Sequence, residues 1–194
     1  VHKVAITPHI GHFSWKGVTI NLIDTPGYFN FLESTRGVLP GVDGVVLIIS
    51  GVEGIKPETK RLWSMIEEAE LPAVCFVNHM DQEYSDFMKA LDAIREHLKI
   101  TPEVLTIPIR AGTNVSGIVD ILRLKAWSTK DGKSTPIAVP EAMQGDINLL
   151  RTQLIEKVAE TDDSLLERYF ANIDLPADDI EIALRDGVLK RSFM

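Results

Sequence analysis

The chain has 194 residues, 45% apolar and 25% charged, a composition that excludes a wholly disordered chain and a collagen-like one. Its formal net charge is −8, and residues 141–194 carry 12 acids against 6 bases, which argues against a broad basic face for nucleic acid. No apolar run reaches the roughly 18 residues of a membrane span, and Val1–Ile10 lacks the apolar core of a signal peptide. The chain begins without Met, which suggests a piece of a longer protein. The single cysteine, Cys75, permits no internal disulfide and fits a reducing, cytoplasmic setting.

In chain order, Phe13–Trp15 and Val18–Ile23 read as strands around a tight turn at Lys16-Gly17. Residues 29–39 are predicted helical. Val45–Ile49 is a short all-apolar run, expected as a strand buried on both faces of a parallel sheet. Leu62, Trp63, Ile66 and Ala69 follow helical spacing, and Trp63 is expected to pack on the sheet. Ala73–Val77 is a second all-apolar strand, with Cys75 as a core residue. Phe87, Leu91, Ile94 and Leu98 mark an amphipathic helix, and Val104–Ile109 a third buried strand. This alternation predicts a doubly wound α/β sheet.

After residue 109 the pattern changes. Ile118–Trp127 and Thr135–Val139 read as antiparallel strands around the turn Lys130-Asp131-Gly132. Three acidic helices follow: one with the stripe Ile147, Leu150, Leu154 and Val158, one opening at Ser164-Leu-Leu-Glu167 as a capping box, and one near Ala177–Asp186 ending at Gly187. These helices serve as a solvated face or as a docking surface for a basic partner.

Two short motifs carry chemistry. Asp24-Thr25-Pro26-Gly27 closes an apolar strand, where ligands of open α/β sheets sit. An Asp there can hold Mg²⁺, directly or through water, and the glycine lets its N–H approach a terminal phosphate. The plain alternative is a turn. Asn78-His79-Met80-Asp81 closes the next-but-one strand. Its Asp can accept two parallel N–H bonds from the guanine edge, which adenine does not offer. The plain alternative is Asp81 as the N-cap of the next helix. Asp24 and Asp81 lie 57 positions apart and enclose one strand–helix unit, the order expected of a GTPase.

With Val42-Asp-Gly-Val-Val46, Gly51-Val-Glu-Gly54, Gly117-Ile-Val-Asp120-Ile, and Val158–Asp163 with Tyr169, these motifs resemble the GTPase domain of translation elongation factor G over nearly all of residues 2–194. Tyr28 brings the resemblance nearer the elongation factor G-like paralogue group. The resemblance implies an α/β, doubly wound P-loop GTPase-type sheet with an inserted α+β subdomain. Residues 1–109 would be a partial GTPase core, 110–187 the inserted lobe, and 188–194 the start of a return strand. It implies GTP or GDP with Mg²⁺ as cofactors of the parent protein, the ribosome as partner, and a cytoplasmic location. It places Mg²⁺ at Asp24 through water, γ-phosphate at Gly27, guanine at Asn78, His79 and Asp81, and the catalytic position at Tyr28. Switch segments would include Ala5–His9 and Gly27–Arg36.

Three departures from the family pattern predict impaired hydrolysis. The water-positioning histidine is Tyr28, the metal-ligating threonine aligns with Ala5, and the guanine-motif lysine is His79. A nucleotide-dependent binding switch with little or no hydrolysis is therefore the rival reading, and a domain that no longer binds nucleotide a third. No G-x-x-x-x-G-K-[ST] loop precedes Asp24; Gly132-Lys133-Ser134 fails the motif because Trp127 stands at its first glycine. These 194 residues alone are accordingly expected to bind nucleotide weakly and to be inactive. Without the strand that feeds such a loop, the central sheet is expected to be interrupted and to favour self-association. His2, His9 and His12 suggest metal only weakly.

Overall fold

The computed structural model describes residues 5–111, 114–130, 132–171 and 175–192. The chain divides into two compact units, residues 1–45 with 56–71 and residues 46–55 with 72–194.

In the first unit, β1 (His9–Trp15) and β2 (Val18–Asp24) form an antiparallel hairpin with Trp15 opposite Val18 and His9 opposite Asp24. Lys16 and Gly17 both have positive φ, 48° and 80°. Two left-handed residues in succession make the tight turn whose twist matches the strands. β1 begins four residues before the predicted Phe13, because pairing with β2 extends it through the polar His9, Gly11 and His12. A 3₁₀ turn at Phe29–Phe31 leads into α1 (Leu32–Val38), followed by a second such turn at Leu39–Gly41. The helix α2 (Pro57–Glu68) starts on Pro57, whose missing N–H costs nothing at a helix start. Leu32, Leu39 and Met65 are buried together, with Val45, Leu62 and Leu71 packed against them. Trp63 is half-buried, and its Nε1 has no hydrogen-bond partner.

In the second unit, β3 (Val45–Ser50) pairs with β4 (Ala73–Asn78). The Gly51 N–H donates to Asn78 O at 2.8 Å, so the carboxyl ends of the two strands lie side by side. β3 is not buried on both faces. Leu47 and Ile49 are buried, whereas Val46 and Ile48 are 60% and 61% exposed. An all-apolar run carries no sign of which face is covered, and the alternation in burial comes from packing alone. Among the described residues β2 pairs only with β1 and β3 only with β4.

α3 (Phe87–Leu98) buries Ala90, Leu91, Ile94 and Leu98, the last three from the predicted stripe. Its N-cap is Asp86, whose Oδ1 accepts the Lys89 N–H at 3.1 Å, and not Asp81, which lies five residues earlier.

The remaining strands, β5 (Thr106–Ala111), β6 (Asn114–Asp120), β7 (Lys125–Lys130) and β8 (Lys133–Ile137), form one antiparallel meander in the order 5-6-7-8. The predicted strand at Val104–Ile109 therefore belongs to this sheet rather than to the doubly wound one. The predicted run Ile118–Trp127 is two strands. Between them the turn at 121–124 buries Ile121 and Leu122, and Asp120 Oδ1 accepts the Arg123 N–H at 2.8 Å. Apolar residues in a buried turn mimic a continuous strand. In the predicted turn at Lys130–Gly132, Asp131 lies outside the described residues, and Lys130 pairs with Lys133.

α4 (Gln144–Ala159) buries Ile147, Leu150, Leu154 and Val158, as its spacing predicts. α5 (Asp163–Phe170) is capped by Asp162, whose Oδ1 accepts the Leu165 N–H at 3.0 Å, so the Ser164 capping box does not form. α6 (Ala177–Leu189) runs through Gly187, which is buried, and does not stop there. It closes with Ser192 N–H to Gly187 O at 2.8 Å and Arg191 N–H to Val188 O at 3.0 Å, Arg191 taking φ 58°. This is a Schellman ending with arginine where glycine is usual. Residues 188–192 thus finish a helix and do not begin a strand. The main core of this unit joins Leu91, Val104, Ile107, Val119 and Ile121 to the buried faces of α4 and α6.

Candidate functional site

Asp24 is the last residue of β2, and its carboxylate is exposed. Strand propensity in Val18–Ile23 delivers it there, and Pro26, which cannot donate to a ladder, ends the pairing. Pro26 is buried, and its carbonyl accepts from Thr35 Oγ1 of α1 at 3.2 Å. This bond ties the turn to the helix that follows it. A Cβ placed on Gly27 would meet nothing within 4 Å, so the Gly27 backbone is open to an approaching ligand. Tyr28 is exposed, with extended backbone, φ −84° and ψ 142°, at the entrance to the 3₁₀ turn. Arg61 of α2 lies over the Phe29 ring at 5.4 Å. Asp24, Gly27 and Tyr28 are thus brought together as one exposed segment of the first unit.

The second group lies in the other unit. Asn78, His79 and Asp81 are exposed, whereas Met80 between them is buried. His79 takes φ 60°, which folds the chain back sharply at the strand end. The turn is held from several sides. Gly51 donates to Asn78 O, and Asp86 N–H donates to Gly51 O at 2.9 Å. A Cβ on Gly51 would lie 2.4 Å from Met80 Sδ and 3.2 Å from Asn78 O. Ser85, buried, donates to Met80 O at 2.9 Å and Gln82 O at 2.8 Å. Sequence reasoning names Gly51 only as part of a resembling run. It misses Ser85 entirely, because a serine in a polar stretch gives no sign that its hydroxyl is buried.

The carboxylates of Asp24 and Asp81 have no hydrogen bond or ion pair among the described residues, and so remain available to a ligand. Asp24 offers a hard oxygen suited to Mg²⁺ and Gly27 an unobstructed backbone, so the residues present fit a metal–phosphate group. Among the described residues no cluster of three or more His, Cys, Asp or Glu is placed to hold a metal by itself. His2 lies outside the described residues. Three residues before Asn78, Cys75 is half-buried, and loss of solvent pushes its thiol up to about 11.

Residues 3–174 match the family described as elongation factor Tu GTP binding domain. The chain belongs to this family. It is 32% identical over 184 residues to an elongation factor G of Neorickettsia sennetsu, covering 93% of this chain. It covers 27% of that relative, so it spans about a quarter of the relative's length. A solved structure from Thermus thermophilus superposes with a TM-score of 0.88 at 25% identity, over 97% of this chain and 28% of that one. The match and the superposition give the chain the α/β fold of P-loop GTPases. Among the described residues no helix is long and apolar enough to cross a membrane.

Proposed function

We propose that the chain is the guanine-nucleotide-binding part of a translational GTPase whose parent acts on the ribosome in the cytoplasm. The observation that carries this reading is that Asp24 with Gly27, and Asn78 with Asp81, are exposed in turns at the carboxyl ends of strands within the matched span. Asp24 would hold Mg²⁺. The Gly27 N–H donates to the terminal phosphate. Asp81 accepts the guanine N1–H and N2–H pair, Asn78 braces its turn, and His79 lies against the base. Mg²⁺, when bound, neutralises charge on the phosphate oxygens. The inserted lobe in this reading runs from β5, at Thr106, to the end of α6, at Leu189, rather than over residues 110–187, which would cut both elements. Titration of the intact protein with a fluorescent GDP analogue tests the reading: saturable binding displaced by GTP and not by ATP is expected, and no binding would overturn it.

The rival reading, a switch that binds nucleotide and hydrolyses it slowly, is favoured by one observation. The residue after Gly27 is Tyr28, a phenol where the family pattern places an imidazole that orients water. Ala5 removes a metal-ligating hydroxyl as well. Tyr28→His in the intact protein is expected to raise ribosome-stimulated GTP hydrolysis. The gain should fall short of the roughly 10²–10⁴-fold that a placed acid–base group contributes elsewhere. An unchanged or lower rate would assign Tyr28 a role of its own.

A further inference from the structure

The guanine-contact reading of Asn78–Asp81 leaves one question: what aims Asp81. Its carboxylate is exposed and takes no hydrogen bond among the described residues, so its direction follows from the backbone on either side of it. Those two sides end in the carbonyls of Met80 and Gln82, and one hydroxyl clasps both. Ser85 Oγ lies 2.9 Å from Met80 O and 2.8 Å from Gln82 O and shares its single proton between them. Ser85 is 6% exposed, so the bond to Met80 O is shielded from water and that to Gln82 O partly so. The Ser85 N–H adds a bond to Gln82 O at 3.3 Å.

Ser85 is itself held. Its carbonyl accepts from Nη1 of Arg110, a half-buried residue of β5. Arg110 is the first paired residue beyond a bulge in the β5–β6 ladder: Ile109 faces Gly117 and Arg110 faces Val115, leaving Ser116 between. Bulges bend a strand and redirect its side chains. The four-stranded sheet thereby reaches the turn through one guanidinium, one peptide carbonyl and one hydroxyl.

We propose that Ser85, anchored by Arg110, is a positioning residue that sets the direction of Asp81 towards the guanine edge. This inference rests on the reading of Asn78–Asp81 as the guanine-contact turn. A serine that merely satisfies buried polar groups would affect stability and all nucleotides alike. A positioning serine affects the contacts to N1 and N2 in particular.

The test uses the intact protein that contains this chain and measures GDP and inosine diphosphate by competition against a fluorescent GDP analogue. Inosine lacks the 2-amino group, so the ratio of the two affinities reports how well Asp81 is aimed. Ser85→Ala is expected to weaken GDP about three- to tenfold, the scale of one hydrogen bond, and to shrink the GDP preference over inosine diphosphate. Arg110→Ala should act in the same direction, and Arg110→Lys, which keeps a donor, should restore much of the ratio. If Ser85→Ala does not fold, the two Arg110 variants decide. Wild-type ratios in the folded variants would overturn the inference, as would equal losses for both nucleotides. A wild-type protein that does not prefer GDP to inosine diphosphate would overturn the reading of the turn itself, a separate and recognisable failure.

Discussion

At Asp81 a single carboxylate carries guanine selectivity in the proposed reading. Xanthine presents a carbonyl at position 2 where guanine presents an amino donor. A carboxylate repels that oxygen and an amide donates to it. Asp81→Asn in the intact protein should therefore weaken GDP, by about 1.5–3 kcal/mol for each charged hydrogen bond lost, and strengthen xanthosine diphosphate. Competition binding checks both; unchanged GDP affinity would remove Asp81 from the site. Cys75 offers a second residue-scale prediction. Its thiol is pushed up to about 11 because burial disfavours the thiolate. The folded state therefore prefers the protonated thiol. The stability this contributes is fully present below the ordinary thiol value of 9.0 and is lost as pH rises through about 11. At pH 8 alkylation of the native chain by iodoacetamide should be slow, and in denaturant fast. Equal rates would show that Cys75 is solvated.

The helices were legible at the scale of elements because their apolar stripes recur at helical spacing. Ile147, Leu150, Leu154 and Val158 are all buried, as are Leu91, Ile94 and Leu98. Their caps were less so. Asp86 and Asp162, not Asp81 or Ser164, accept the first-turn N–H groups, since several polar residues in each stretch suit the role and only the backbone path selects one. α6 passes Gly187 because that glycine is buried, a condition local sequence does not express. Strands faced a different limit: which edge or face is covered depends on residues far along the chain, as the alternating burial of Val45–Ser50 shows. The site followed the same division. The exposed turns at Asp24–Gly27 and Asn78–Asp81 were legible as motifs, whereas their buried support at Ser85 and Arg110 was not. Gly117 tests how tightly the meander is built. A Cβ there would stand 2.1 Å from Trp127 O and 3.0 Å from Ser128 Cα, both backbone atoms of β7 that cannot move aside alone. Gly117→Ala should destabilise by about 1–3 kcal/mol, the cost of overpacking a close approach. Chemical denaturation checks it, and a loss under about 0.5 kcal/mol, the range of ordinary surface changes, would mean that the ladder relaxes freely.

For the whole molecule the decisive feature is apolar surface left uncovered on strands. In β1 and β2, Ile10 is 80% exposed, Trp15 and Val18 62% each, and Leu22 54%. In β3 and β4, Val46, Ile48 and Phe76 are exposed to a similar degree. Globular monomers seldom present apolar patches beyond a few hundred Å², and open strand edges add unpaired N–H and C=O groups that template association. Net charge of −8 opposes this, but residues 141–194 hold most of it, away in sequence from these strands. Long-range repulsion also weakens once salt shortens the Debye length to about 8 Å at physiological strength. The 194-residue chain expressed alone is therefore expected to self-associate, more strongly as salt is raised, and to bind a hydrophobic dye. Sedimentation velocity at low and high salt measures it directly. The charged substitutions Ile48→Lys and Phe76→Lys, which interrupt the β3–β4 surface, should weaken self-association while leaving the α4–α6 helical signal unchanged. A salt-independent monomer in the unsubstituted chain would show that these apolar strand faces are covered within a single copy.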